Sequence, residues 1–275
     1  MRERLATLRI LIGAYALVYV VLGIGELASV SSLPATRFSP VGVVRVLDQP
    51  LPVWLVTAIA VMTVVLLAGF VAGVAYRVVA PLAAAALLWT LSYRSSWGMI
   101  FHTDDLLVLH VIALAISPAA DARALGRSSR DGGNYDLAVK LVVALTAVTY
   151  VLAGIAKLRI AGLHWLSGDL LRDQIAFDNA RKALLGDPIA PFATLLLDHP
   201  GSLVVASIVT LVIELGAPIA LLGGTIARGW AVSAWIFHVG VVLTMNVWFP
   251  YPLFGFAFVA LFPIERLRLP RQLRV

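Results

Sequence analysis

The sequence predicts an all-α, polytopic transmembrane helical bundle of about eight spans with an amphipathic helix on its outer surface. Hydrophobic residues make up 61% of the 275 and charged residues only 13%, a balance foreign to a soluble domain of this length. Several segments supply the ~20 apolar residues that a helix needs to cross a hydrocarbon core. Their apolar runs are continuous rather than alternating, which excludes a β-barrel, the other fold that satisfies its backbone within lipid.

Residues 8–30 form the first expected span; they exceed a signal-peptide apolar core and lead into further apolar segments, so they are read as uncleaved. Further spans are expected at about 52–76, 78–93, 100–118, 137–157, 202–224, 229–247 and 251–264. The fourth is short and begins within "WGMIFHTDD", and the last is short enough to be re-entrant. No internal repeat, low-complexity tract or soluble domain interrupts them, so residues 1–275 read as a single membrane domain.

A formal charge of +6 raises the question of nucleic acid. The basic residues, however, lie in short loops and at the ends, where membrane proteins carry them, so no nucleic-acid partner is expected. With Arg2, Arg4 and Arg9 in the cytoplasm, Arg77, Arg123, Arg127, Arg130, Arg228, Arg266, Arg268, Arg271 and Arg274 also fall inside. Short outer loops hold Arg37, Arg45 and Arg94. This bias predicts both termini inside and an even number of spans. Glu26, His102, Asp104, Asp105 and Lys157 then gather at the outward ends of spans one, four and five. In the long outer loop 158–201, Trp165, Leu166, Leu170, Leu171, Ile175 and Phe177 alternate with Asp169, Arg172, Asp173 and Arg181. That pattern predicts the surface-lying helix, set as a lid over the outward site and broken by "DP" at 187–188 and "HPG" at 199–201.

The absence of cysteine excludes disulfides, thiolate metal sites and CxxC redox pairs. No HxxxH or HExxH spacing provides a metal site, no GxSxG elbow provides a nucleophile, and no glycine-rich loop cradles a phosphate. Interest therefore falls on ionisable residues at membrane depth, which usually face a bundle interior or cavity. Lys157 closes the stretch "YVLAGIAKL", with no acid beside it. Either it snorkels to the interface, or it stands in an apolar pocket where desolvation disfavours the ammonium and leaves an amine to act as base. Gly154 would let a second helix close such a pocket. Thr103 or Asp104 is expected to N-cap span four, with Asp105 favouring its positive end. His102 has no such role, and His110 is expected to be buried against a carbonyl. Glu214 and His238 lie mid-span, either paired with each other or functional, and Asn246 nears the outer side on span seven.

"AGIAKL", followed by Trp165 and Gly168, resembles the lysine motif of vitamin K-dependent γ-glutamyl carboxylases, and more closely that of their bacterial relatives, the HTTM (horizontally transferred transmembrane) family. "SSWGMIFHTDDLLVLH…SPAADA" and "FHVGVVLTMN" resemble two further signatures, and the likeness covers roughly residues 8–265. It implies that Lys157 deprotonates reduced vitamin K or menaquinone, with His102 assisting. Dioxygen and CO₂ would be the cosubstrates. Trp165, Asp104, Glu214, His238 and Asn246 are then expected around the quinol. The implied setting is a bacterial cytoplasmic membrane, with lipid, an isoprenoid quinone and an outer peptide or small molecule as partners. Ala156 departs from the family's paired lysines, and the large lumenal region that grips a propeptide in the carboxylases has no counterpart in these 275 residues. Two alternatives are a proton or small-molecule pathway through Glu214 and His238, and a non-enzymatic subunit that presents quinone or lipid to a partner.

Overall fold

A computed structural model describes residues 1–100, 102–125 and 133–266. Arg127, Arg130, Arg268, Arg271 and Arg274, and the side chain of His102, lie outside the described residues. Among those described, the regular structure is helical. Ten α-helices follow in order: α1 (Arg2–Val30), α2 (Val53–Ala72), α3 (Tyr76–Ser95), α4 (His102–Ala115), α5 (Tyr135–Ala161), α6 (Asp169–Leu185), α7 (Ala193–Leu197), α8 (Pro200–Leu215), α9 (Gly224–Met245) and α10 (Pro250–Leu253). Contacts divide the described residues into two compact units, those within 1–142 together with 263–266, and 143–262.

Among the described residues, five helices are long and apolar enough to cross a membrane: α1, α2, α3, α5 with the 3₁₀ turn that extends it, and α9. Their apolar surface marks lipid as the solvent they suit: Val61, Met62 and Val65 of α2 stand exposed, as do Val232, Trp235 and Ile236 of α9. This is an integral membrane protein. The other three expected spans are not long helices. Segment 100–118 yields the 14-residue α4, 202–224 divides at Gly216 into α8 and a 3₁₀ turn (Ala217–Leu222), and 251–264 becomes α10 and a 3₁₀ turn (Phe256–Leu261). Gly216 with Pro218, and Pro250, Pro252 and Gly255, account for the last two breaks: proline cannot donate within a helix, and Gly255 takes a left-handed φ of 81°.

In the first unit, α1 packs on α2 and α4, α2 on α3, and α3 on α4. Its N-terminal end is tied by cations. Arg9 is fully buried and donates to the carbonyls of Ala119, at 3.1 Å, and of Arg123. Arg123 pairs with Glu3 at 2.6 Å and donates to Thr7. At the other end, Leu27, Val44, Val56, Ala60 and Tyr93 form an apolar cluster.

In the second unit, α6 rests on α8 and α9 through Ile175, Asn179 and Lys182, its buried positions at helical spacing. Asn179 donates to the Thr244 carbonyl at 3.0 Å and accepts from the Ala190 N–H at 2.7 Å. Lys182 donates to the Met245 carbonyl at the C-terminal end of α9, where a cation is favoured. Between α5 and α6, the 3₁₀ turn Gly162–Ser167 carries Trp165 inward and ends at Gly168, whose φ is 81°. A Cβ at Gly168 would meet the backbone of Leu203 and Val204 at 2.8 Å. Gly168→Ala is therefore expected to destabilise the protein by about 1–3 kcal/mol, seen as a lowered melting temperature in detergent, with loss of the buried-tryptophan fluorescence of Trp165.

Candidate functional site

The second unit brings together Lys157, Glu214 and Trp165 from three separate elements. On α5, Tyr150, Gly154 and Lys157 are four and three residues apart and share one face. A Cβ at Gly154 would stand 2.8 Å from a Leu215 methyl and 3.1 Å from the Glu214 Cβ, so glycine is what lets α8 approach here. Lys157 Nζ then donates to Glu214 Oε1 at 2.5 Å. The lysine also lies 5.4 Å from the centre of the Trp165 ring, within reach of its π-face. Trp165 is buried and its indole N–H donates to the Ser207 carbonyl at 3.3 Å. Ser207 and Glu214 are seven residues apart on the buried face of α8.

Burial is uneven across the ion pair. The Glu214 side chain is 4% exposed and that of Lys157 24%, so the carboxylate is the sealed end and the ammonium the open one. Glu214 Oε2 has no hydrogen-bond partner among the described residues, and neither do Ser207 Oγ or His238 Nδ1. These are the buried unpartnered side-chain polar atoms of this unit.

His238 and Glu214 are not bonded to each other, the pairing that mid-span depth had suggested. The Nε2 atom of His238 lies 2.6 Å from the Tyr150 hydroxyl. Trp230, Phe258, Phe237 and Phe249 surround that pair edge-on or tilted, and His238 Nδ1 has no hydrogen-bond partner among the described residues. Asn246 has a backbone role. It ends α9 in the left-handed conformation at φ 49°, donates to the Pro188 carbonyl at 2.9 Å and accepts from Trp248 at 3.0 Å.

Asp104 belongs to the first unit and to a different network. The Tyr19 hydroxyl donates to its Oδ1 at 2.7 Å, and Arg94 Nη1 reaches its Oδ2 at 3.4 Å. Arg94 also grips both oxygens of Glu26, at 3.1 and 3.0 Å. The expected N-cap at Thr103 or Asp104 is therefore not made: α4 starts at His102, and the Asp104 carboxylate is spent on Tyr19 and Arg94. His110 is fully buried and bonded to the Val142 backbone, as its position suggested. No group of three or more metal-ligating side chains occurs among the described residues.

No family model, curated protein or solved structure matches the chain.

The sequence reading gave no weight to Tyr150, Arg94 or Ser207. Tyr150 had a readable signal, since seven residues before Lys157 is two helical turns on the same face. Arg94 counted only as a loop charge, and nothing in local spacing ties it to Glu26, 68 residues away.

The buried carboxylate makes the ion pair sensitive to losing one partner. Lys157→Met or Glu214→Leu is expected to cost about 2–4 kcal/mol, because each leaves a charge without its counterion. The double variant should recover most of that loss, and thermal unfolding of all four proteins in nanodiscs measures the coupling.

Proposed function

We propose that this protein is a membrane enzyme that uses Lys157 to deprotonate a reduced isoprenoid quinone, such as menaquinol, for oxygen-dependent epoxidation. In this reading the epoxidation is coupled to proton abstraction from, and carboxylation of, a second substrate. The observation that carries the reading is the Lys157–Glu214 pair, 2.5 Å apart and backed by Trp165, with one carboxylate oxygen buried and unpartnered. A quinol fits this donor set, since its hydroxyl can donate to Glu214 Oε2 while its ring meets apolar surroundings.

The chain's part is the movement of protons. Glu214, at hydrogen-bond distance, takes the extra proton of Lys157 and leaves an amine, a transfer between neighbours that neutralises both in a desolvated site. Lys157 then takes a hydroxyl proton from the bound quinol, a step that a positioned base accelerates by about 10²–10⁴-fold. Trp165 excludes water from the side of α8. When bound, the quinol supplies the four electrons that reduce dioxygen, two in becoming quinone and two in being epoxidised, so that quinol and O₂ give quinone epoxide and water. The coupled substrate exchanges a C–H proton for CO₂. The resemblance of "AGIAKL", Trp165 and Gly168 to the carboxylase motif supports the same assignment of the base. His102, at the start of α4, is assigned the assisting role by that resemblance alone.

The finer topology belongs to the same proposal. Both termini face the cytoplasm of a bacterium, and the Lys157 end of α5 faces outward. α8 is about 24 Å long at 1.5 Å per residue, and the 3₁₀ turn 217–222 adds about 12 Å. Together they reach the thickness of a hydrocarbon core. α4 and the 250–261 segment complete about eight passages, and α6 lies at the outer interface with Phe177, Leu184 and Leu185 exposed toward lipid.

Purified protein in nanodiscs, supplied with reduced menaquinone, is expected to consume oxygen and form quinone epoxide. Lys157→Ala should lower both rates at least about 100-fold in protein that still folds, with the lowered melting temperature that loss of the Glu214 counterion brings. Equal rates in the two proteins would remove Lys157 as the base.

A further inference from the structure

We infer that Glu214 Oε2 is a selectivity element that makes this site bind the hydroxylated, reduced form of an aromatic ligand and reject the oxidised carbonyl form. The inference rests on the quinol reading for the class of ligand, but it concerns binding and not turnover.

The first unit supplies an internal comparison. There Asp104 uses both oxygens, one for Tyr19 and one for Arg94, and Glu26 gives both of its oxygens to Arg94. Those two carboxylates have a partner at each oxygen, whereas the partly exposed Glu265 leaves Oε2 with only Arg4 at 3.9 Å. Glu214 is as deeply buried as Asp104, at 3% against 2% exposed, yet only Oε1 is engaged. A carboxylate oxygen sealed from water and left unpaired is costly, and a native fold keeps such an atom when something else pairs with it. Ser207 Oγ, on the same face of α8 and fully buried, is likewise unpartnered. Lys157, with its side chain 24% exposed against 4% for Glu214, is the open side of the pair, and a ligand reaching Oε2 would enter past it.

The chemistry of the free atom sets the preference. An ionised carboxylate only accepts hydrogen bonds, and its negative charge is already balanced by Lys157. The complementary ligand is therefore neutral and carries an O–H donor. A 1,4-diol meets that requirement, whereas a quinone brings lone pairs against lone pairs. A site built around a ligand O–H discriminates strongly against the analogue that lacks it, because the protein group is then buried unpaired. The product of oxidation would accordingly leave more readily than the reduced form binds.

Three probes of similar ring size separate donor capacity from redox chemistry: naphthalene-1,4-diol, 1,4-naphthoquinone and 1,4-dimethoxynaphthalene. Anaerobic calorimetric titration into wild-type nanodiscs is expected to give the diol an affinity about tenfold or more above both others, as a hydrogen bond to a charged group provides. In Glu214→Gln the amide carbonyl can still serve Lys157, which turns an NH₂ donor toward the ligand. The preference for the diol should then vanish or reverse. If that variant does not fold, Lys157→Gln with Glu214→Gln removes both charges together and should likewise abolish the preference. Equal wild-type affinities for the three probes, binding of none, or a preference unchanged in the Gln variants would overturn the inference. Diol selectivity that depends on Glu214, together with oxygen uptake indifferent to Lys157, would sustain it while sinking the proposed chemistry.

Discussion

Burial of charge among apolar helices is the constraint on which the rest of this structure depends. An ionised side chain removed from water costs several kcal/mol unless a counter-charge or a set of hydrogen-bond partners replaces the solvent. Each buried cation described above meets that demand within its own unit. Arg9 uses the carbonyls of Ala119 and Arg123, Arg94 uses Glu26 and Asp104, Lys157 uses Glu214, and Lys182 uses Asp178 and the Met245 carbonyl. Apart from Lys182–Asp178 within α6 and Arg94–Asp104, ten residues apart, these ties join residues far apart in sequence. They therefore fix which helices meet, in a setting where apolar contact alone favours no particular neighbour over lipid.

Small residues decide where those ties can form. Gly154 lets α8 come close enough for Glu214 to reach Lys157, and Gly168 turns the chain so that Trp165 packs on α8 instead of facing outward. The motif that drew attention to Lys157 thus contains two kinds of information: the residue that carries the charge, and the glycines that place its surroundings. Ala156 beside Lys157 leaves one amine for one carboxylate.

Much of the fold was legible because hydropathy is a local property. α1, α2, α3, α5 and α9 fall on expected spans, since length and apolar content are what a membrane helix requires. The fourth, sixth and eighth segments read as spans for the same reason, yet hydropathy is blind to the backbone breaks at Gly216, Pro250 and Gly255. The site was legible residue by residue but not in its pairings. Lys157 and Glu214 are 57 positions apart, and Tyr150 and His238 are 88 apart. Local rules even misdirected at Asp104, where a helix-cap reading lost to Tyr19 and Arg94, because two partners for a buried carboxylate outweigh one cap.

Lys157 posed a choice between a lysine reaching for water and a lysine held as a base. The geometry offers a third description that contains both. Its side chain is open enough to meet a ligand, and its charge is answered from the buried side by Glu214. A purely structural pair in this position would gain by engaging both carboxylate oxygens, as Glu26 and Asp104 do. The unpaired oxygen of Glu214 is a departure from full pairing that those two carboxylates do not make, and departures of that kind concentrate where a protein gives up stability for function. That asymmetry is a property of neither residue alone, which is why it emerges only when α5 and α8 are brought side by side.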